Sequence, residues 1–146
     1  MTDNFLESVA SVLEVDGVTL GTRFREVPGW CSLQAFGLLV LMENDYLAPI
    51  TIDRLRELNT VGELEMEAFL AFVAALLKVP RSSIAPDTKY GSIPEWDSVN
   101  HLRLCMESEK RFGWYFPIEK IPEIRVISDF VNLAQKGGGL TDHPKK

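Results

Sequence analysis

Histidine and cysteine are scarce in this chain. Its 146 residues include two histidines, His101 and His143, and two cysteines, Cys31 and Cys105, with no C-x-x-C pair. That is too few ligands of the usual types for a zinc site. The two cysteines read as ordinary thiols of a reducing compartment rather than as a disulfide. Long apolar runs are missing too. The longest, Phe69–Leu77, falls far short of the ~20 residues that span a bilayer, so no membrane insertion is expected. The N-terminus is acidic and polar rather than basic and then apolar, so no secretory signal is expected and the protein is expected to be cytoplasmic. Positive charge is sparse in the first half. Residues 1–65 hold 11 acids and 4 bases, whereas residues 66–146 hold 10 acids and 11 bases, giving the net −6 of the chain. The bases of the second half are scattered and its aromatics follow core periodicity, so nucleic acid is not an expected partner. No G-x-S-x-G elbow is present.

What the chain does contain is a repeat. Residues 22–32, TRFREVPGWCS, align with residues 88–98, TKYGSIPEWDS, at an offset of 66. Thr, aromatic, Pro, Trp and Ser recur in register, and the register holds through Leu64 and Phe130. Upstream, Phe5–Val15 (FLESVASVLEV) matches Phe69–Val79 (FLAFVAALLKV) at an offset of 64. Two copies of one small unit are implied, over residues 1–65 and 66–136, with a disordered tail expected over 137–146.

Within each copy the spacing predicts helices joined by one long loop. Phe5, Leu6, Val9, Val12 and Leu13 recur at helical intervals. Gly17, Gly21 and Pro28 then mark a loop, and helices are expected near 32–45 and 52–58 and after Thr60. The second copy repeats this, with helices near 98–112, 118–121 and 127–135. No Gly/Ser/Pro linker separates the copies. Thr60 and Glu63 form a candidate capping box. From Val61 to Val79 only Gly62 disfavours a helix, so one continuous helix is expected to join the copies. The alternative is two helices kinked near Glu65–Glu67. Phe69–Leu77 is apolar on all sides, which a helix tolerates when buried all round.

The chemistry converges on a serine at a helix start. Asp97 is a preferred N-cap, because its carboxylate accepts the free amides of the first turn. Ser98 follows in that turn, where a phosphate ester would meet backbone N–H groups and the positive end of the helix dipole. Ser32 occupies the same place in the first copy. A plain capping role explains each serine equally well, since duplication copies caps as readily as sites. His101 lies one turn after Ser98, but contiguous residues on one turn do not make the geometry of a catalytic triad, and the first copy has Ala35 there.

Trp96-Asp97-Ser98-Val99 and Trp30-Cys31-Ser32-Leu33, with helical context on both sides, resemble the Asp-Ser-Leu motif of acyl carrier proteins. The resemblance covers almost the whole chain. It implies an all-α fold of two tandem four-helix bundles and a non-enzymatic carrier. Ser98 and Ser32 would each bear 4′-phosphopantetheine, moved from coenzyme A by a phosphopantetheinyl transferase. The arm's thiol would hold acyl groups as thioesters for acyl-activating, condensing or acyl-transfer enzymes. Trp30, Cys31, Leu33, Trp96, Asp97 and Val99 would support the motif. Gly37 and Leu41 in one copy, and Arg103 and Glu107 in the other, would face outward and dock partners.

The chain departs from that pattern in places. Cys31 stands where the family has Asp and is a poor cap, which weakens the first copy's site. Val99 replaces Leu. Lys110 and Arg111 make the second copy locally basic where the family is acidic, while the first keeps Glu43 and Asp45. Such differences either mark solvated faces or direct the two copies to different enzymes. An adaptor derived from a carrier, with one or both serines unmodified, is the competing expectation.

Overall fold

The computed structural model describes residues 4–134. Among them the regular structure is helical: α1 (Asn4–Leu13), α2 (Ser32–Tyr46), α3 (Ile52–Glu57), α4 (Val61–Leu77), α5 (Ser98–Phe112) and α6 (Ile127–Leu133). Short 3-10 turns cover Phe24–Glu26, Arg81–Ser83 and Ile118–Glu123. The last of these covers the short helix expected near 118–121, and Pro122 inside it denies an amide to a longer ladder. The tail expected over 137–146 lies outside the described residues. No described helix is long and apolar enough to cross a membrane.

The chain divides into two compact units, Asn4–Phe72 and Val73 onward. The division falls inside α4, between residues 72 and 73, where the repeat placed it between residues 65 and 66 of the same helix. α4 is one helix. Where a kink near Glu65–Glu67 was the alternative, Glu67 is buried and its carboxylate accepts from Arg54 Nε at 3.0 Å. A partnered carboxylate can stay inside without interrupting the helix. Of the all-round apolar stretch Phe69–Leu77, residues 69–74 are buried without a break, but Ala75 is exposed and Leu76 is half-buried, so the last turn is not enclosed on every side. Thr60 Oγ1 accepts from the Glu63 amide at 3.1 Å, and the Glu63 carboxylate accepts from the Asn59 amide at 2.6 Å. The capping box therefore forms with its return bond one residue earlier than expected.

The first unit is built on Phe5, Val9 and Leu13 of α1, Leu38, Met42 and Tyr46 of α2, and Val61, Leu64 and Ala68 of α4, all buried. Phe5 meets Tyr46 edge-on with ring centroids 5.3 Å apart. The second unit's core is aromatic. Phe112 stacks on Trp114 at 4.7 Å, and Phe116 and Trp96 lie 5.9 and 6.1 Å from Phe130. Each such side chain contributes about 1.5–3 kcal/mol by leaving water.

The sequence repeat is also a repeat of hydrogen bonds. The Val61 and Gly62 amides donate to the Thr22 and Leu20 carbonyls at 2.8 and 2.7 Å. The Ile127 and Ser128 amides donate to Thr88 and Pro86 at 3.1 and 2.8 Å. Isolated bridges join Arg23 to Thr60 and Lys89 to Val126. In each unit the long loop is thus pinned to the start of a later helix, and the two pins lie 66 residues apart in sequence.

Candidate functional site

Each long loop ends on a tryptophan that fixes the next helix. The Trp30 amide donates to the Val27 carbonyl at 3.2 Å, and the Trp96 amide donates to Ile93 at 3.1 Å. Phe24 packs against Trp30 at 5.6 Å, as Tyr90 does against Trp96 at 5.4 Å. Two residues after each tryptophan comes the serine. Ser32 opens α2 and Ser98 opens α5. Both are exposed, and neither hydroxyl is engaged by another described residue.

The two helix starts differ as their sequences require. Asp97 accepts from the Asn100 amide at 2.9 Å and caps α5. Cys31 gives α2 no side-chain cap, and its thiol instead donates to Gln34 Oε1 at 2.7 Å. Asn100 adds a clamp by donating from Nδ2 to the Glu95 carbonyl at 2.8 Å.

His101 is a core residue. Its Nδ1 accepts from Trp96 Nε1 at 3.1 Å, and its Nε2 lies 3.2 Å from the Ile121 carbonyl. Those contacts require the neutral tautomer with the proton on Nε2. Trp96 stacks on the ring and Phe130 lies 5.5 Å away. Both nitrogens are occupied, so neither is free to act as base toward Ser98. Trp96 is almost fully buried as a result, whereas Trp30, opposite Ala35, remains half-buried beside an open cavity.

The outward faces of α2 and α5 extend the motif residues Leu33 and Val99 with Phe36, Val40, Leu102 and Met106, which the sequence did not single out as site residues. Leu33, Phe36 and Val40 are exposed at 72%, 64% and 39%, and Val99, Leu102 and Met106 at 66%, 51% and 65%. These are equivalent positions of the repeat. Ile52 and Ile118, also equivalent, are exposed at 40% and 80%. The signal was available as apolar residues at i, i+3 and i+7 after each serine, but spacing alone does not say which stripe faces the core.

Gly37 does not face outward as expected. A Cβ there would lie 2.9 Å from Val12 Cγ1, so Gly37 lets α1 approach α2. Leu41 is half-buried. Arg103 is exposed and donates to Asn100 Oδ1 at 3.0 Å. Glu107 is half-buried, with Lys110 and Arg111 at 3.6 and 3.7 Å. Among the described residues no group of three or more His, Cys, Asp or Glu side chains is placed to hold a metal ion. Comparison with protein-family models, with curated proteins and with solved structures returned no match.

Proposed function

We propose that the protein is a tandem acyl carrier, holding acyl groups on 4′-phosphopantetheine arms attached to Ser98 and Ser32. The observation that carries this reading is the repeated arrangement at α2 and α5. Each helix opens on an exposed, unengaged serine and continues into an exposed apolar stripe. A carrier needs a hydroxyl that a transferase can reach and a face that successive enzymes can grip. The residues suit the group. Ser98 lies in the first turn of α5, where amides and the helix dipole favour a phosphodiester, and exposure leaves room for a bulky substituent. When bound, the arm would supply a thiol for thioester formation.

This chain's own part is to present and orient. Trp96, held by His101, fixes the loop that delivers Ser98, and Asp97 fixes the helix start. Leu33, Phe36 and Val40, with Val99, Leu102 and Met106, are the residues proposed to meet partner enzymes, in place of Gly37. Apolar groups of this kind, exposed in a row, mark interaction surfaces more often than scattered ones do.

The test is intact mass after incubation with coenzyme A and a promiscuous phosphopantetheinyl transferase, on wild type, Ser32→Ala and Ser98→Ala. Two additions are expected, one lost in each variant. A single addition lost only in Ser98→Ala would make the first unit a docking domain. No addition, with a control carrier modified in parallel, would sink the reading and favour an adaptor that works through its apolar stripes alone.

A further inference from the structure

We propose that the cavity beside Ser32 is a binding site for a short-chain organic carboxylate. The cavity measures about 270 Å³ and has Trp30, Ala35, Ile52 and Leu55 as its apolar lining, with Arg25 and Arg56 contributing charge. That volume falls just below the usual range of ligand sites, about 300 to 1,000 Å³, so only a small ligand fits. The lining calls for a ligand with an apolar body and an anionic end, which excludes bare phosphate and long acyl chains alike.

Arg25 is the decisive residue. Residues 1–65 hold four cations, all arginines. Arg23 pairs with Glu26 at 2.9 Å, and Arg54 pairs with Glu57 and Glu67 at 2.7 and 3.0 Å. Arg56 has only a 3.4 Å contact with Asp53, at the surface. Arg25 has no carboxylate partner among the described residues. Its Nη1 donates to the Arg56 carbonyl at 2.7 Å and its Nη2 to Asn59 Oδ1 at 2.6 Å, both neutral acceptors. The guanidinium is therefore held in place with its charge uncompensated, at the wall of an apolar cavity in a strongly acidic unit. A fixed cation of this kind pays little ordering entropy to bind an anion.

The second copy supplies the contrast. At the positions of Arg25 and Arg56 it has Gly91 and Pro122, and at the position of Cys31 it has the acidic cap Asp97. At the position of Ala35 it has His101, whose ring stacks on Trp96 and reaches the Ile121 carbonyl. Ile121 is itself the equivalent of Leu55. The first copy thus lacks the ring that fills this space, gains two cations and loses a carboxylate. All three differences favour an anion in the cavity. The site does not depend on any modification of Ser32.

The test follows the Trp30 indole N–H resonance of the full chain by NMR during titration with hexanoate, with hexan-1-ol as the uncharged probe. Hexanoate is expected to shift Trp30 with a Kd of about 1 mM or below. The Trp96 indole, already bonded to His101, should not move. Arg25→Gln should weaken hexanoate about tenfold and leave hexan-1-ol unchanged. Because Arg25 also ties two segments together, Arg56→Gln, at an exposed residue, provides a second charge variant, and far-UV circular dichroism confirms the fold of each. Ala35→His, which restores the ring of the second copy, should abolish binding of both probes. An unmoved Trp30 resonance, equal affinity for the two probes, or undiminished binding in Ala35→His would each overturn the proposal. None of these outcomes bears on phosphopantetheine attachment, which the mass experiment reads separately.

Discussion

Asp97 and Cys31 hold the same position of the repeat and do different work. Asp97 satisfies an amide of α5, so Asp97→Ala should cost about 1 kcal/mol in urea unfolding. Cys31→Asp should gain a similar amount, about 1 kcal/mol, by supplying α2 with the acceptor it lacks. A loss on Cys31→Asp would mean that the first turn of α2 is not the weak point of its unit. The difference was legible in the sequence, because capping depends on a residue and its immediate neighbours. The role of His101 was legible only in part. Its place one turn after Ser98 argued against a triad, but its partners are a loop tryptophan and a carbonyl twenty residues downstream, which no local pattern specifies. His101→Ala should cost about 3 kcal/mol, since it leaves both a cavity and an unpaired buried indole N–H. Cys105 offers a pH test. Burial, with the nearby Glu109 charge, pushes its thiol up to about 12. The unfolded chain releases that proton earlier, so between pH ~9 and ~12 the folded state binds more protons and loses stability as pH rises. Urea midpoints measured across that range should fall less steeply in Cys105→Ala than in wild type.

Helix extents followed the sequence closely, whereas helix orientation did not. α5 runs from Ser98 to Phe112 as its pattern and its flanking Asp and Gly require. At its end Gly113 takes φ 73°, and at the equivalent end of α2 Leu47 takes φ 53°. A left-handed backbone suits glycine and strains leucine by about 1 kcal/mol. Leu47→Gly relieves that strain but also removes a side chain that is only 37% exposed, so the two effects should nearly cancel and leave a net change within about 1 kcal/mol of zero. Gly113→Leu should destabilise. Which stripe of α2 turns inward was not legible, because Leu38–Met42 is apolar on every side. The structure buries Leu38 and Met42, leaves Val40 exposed and sets Gly37 against Val12. Gly37→Ala sets a helix-propensity gain of about 1 kcal/mol against a contact that the stiff Val12 side chain cannot easily relieve. We expect a net loss in the wild-type background and a net gain in Val12→Ala. The same sign in both backgrounds would show that the α1–α2 approach does not depend on this glycine.

Both units draw on α4. Residues 61–72 belong to the first compact unit and residues 73–77 to the second. Units of some 65–80 residues are marginal on their own, and five residues are too few to hold a helical turn without the helix that precedes them. The second unit's share of α4 therefore exists because the first unit's share is formed. Ala71, buried near the middle of the helix, tests this coupling. Ala71→Pro removes a backbone donor and drives the ring into the preceding turn, at a cost of about 3 kcal/mol or more. The first unit must lose protection, since its core includes Leu64 and Ala68. The informative reading comes from α5, which the substitution does not touch. Amide exchange in α5 should accelerate along with exchange in α1 and α2, because Val73 and Leu77 leave the core when their helix unravels. Unchanged α5 protection, with α2 exchanging freely, would mean that the segment after the break stands alone and that the continuity of α4 has no energetic consequence for the second unit.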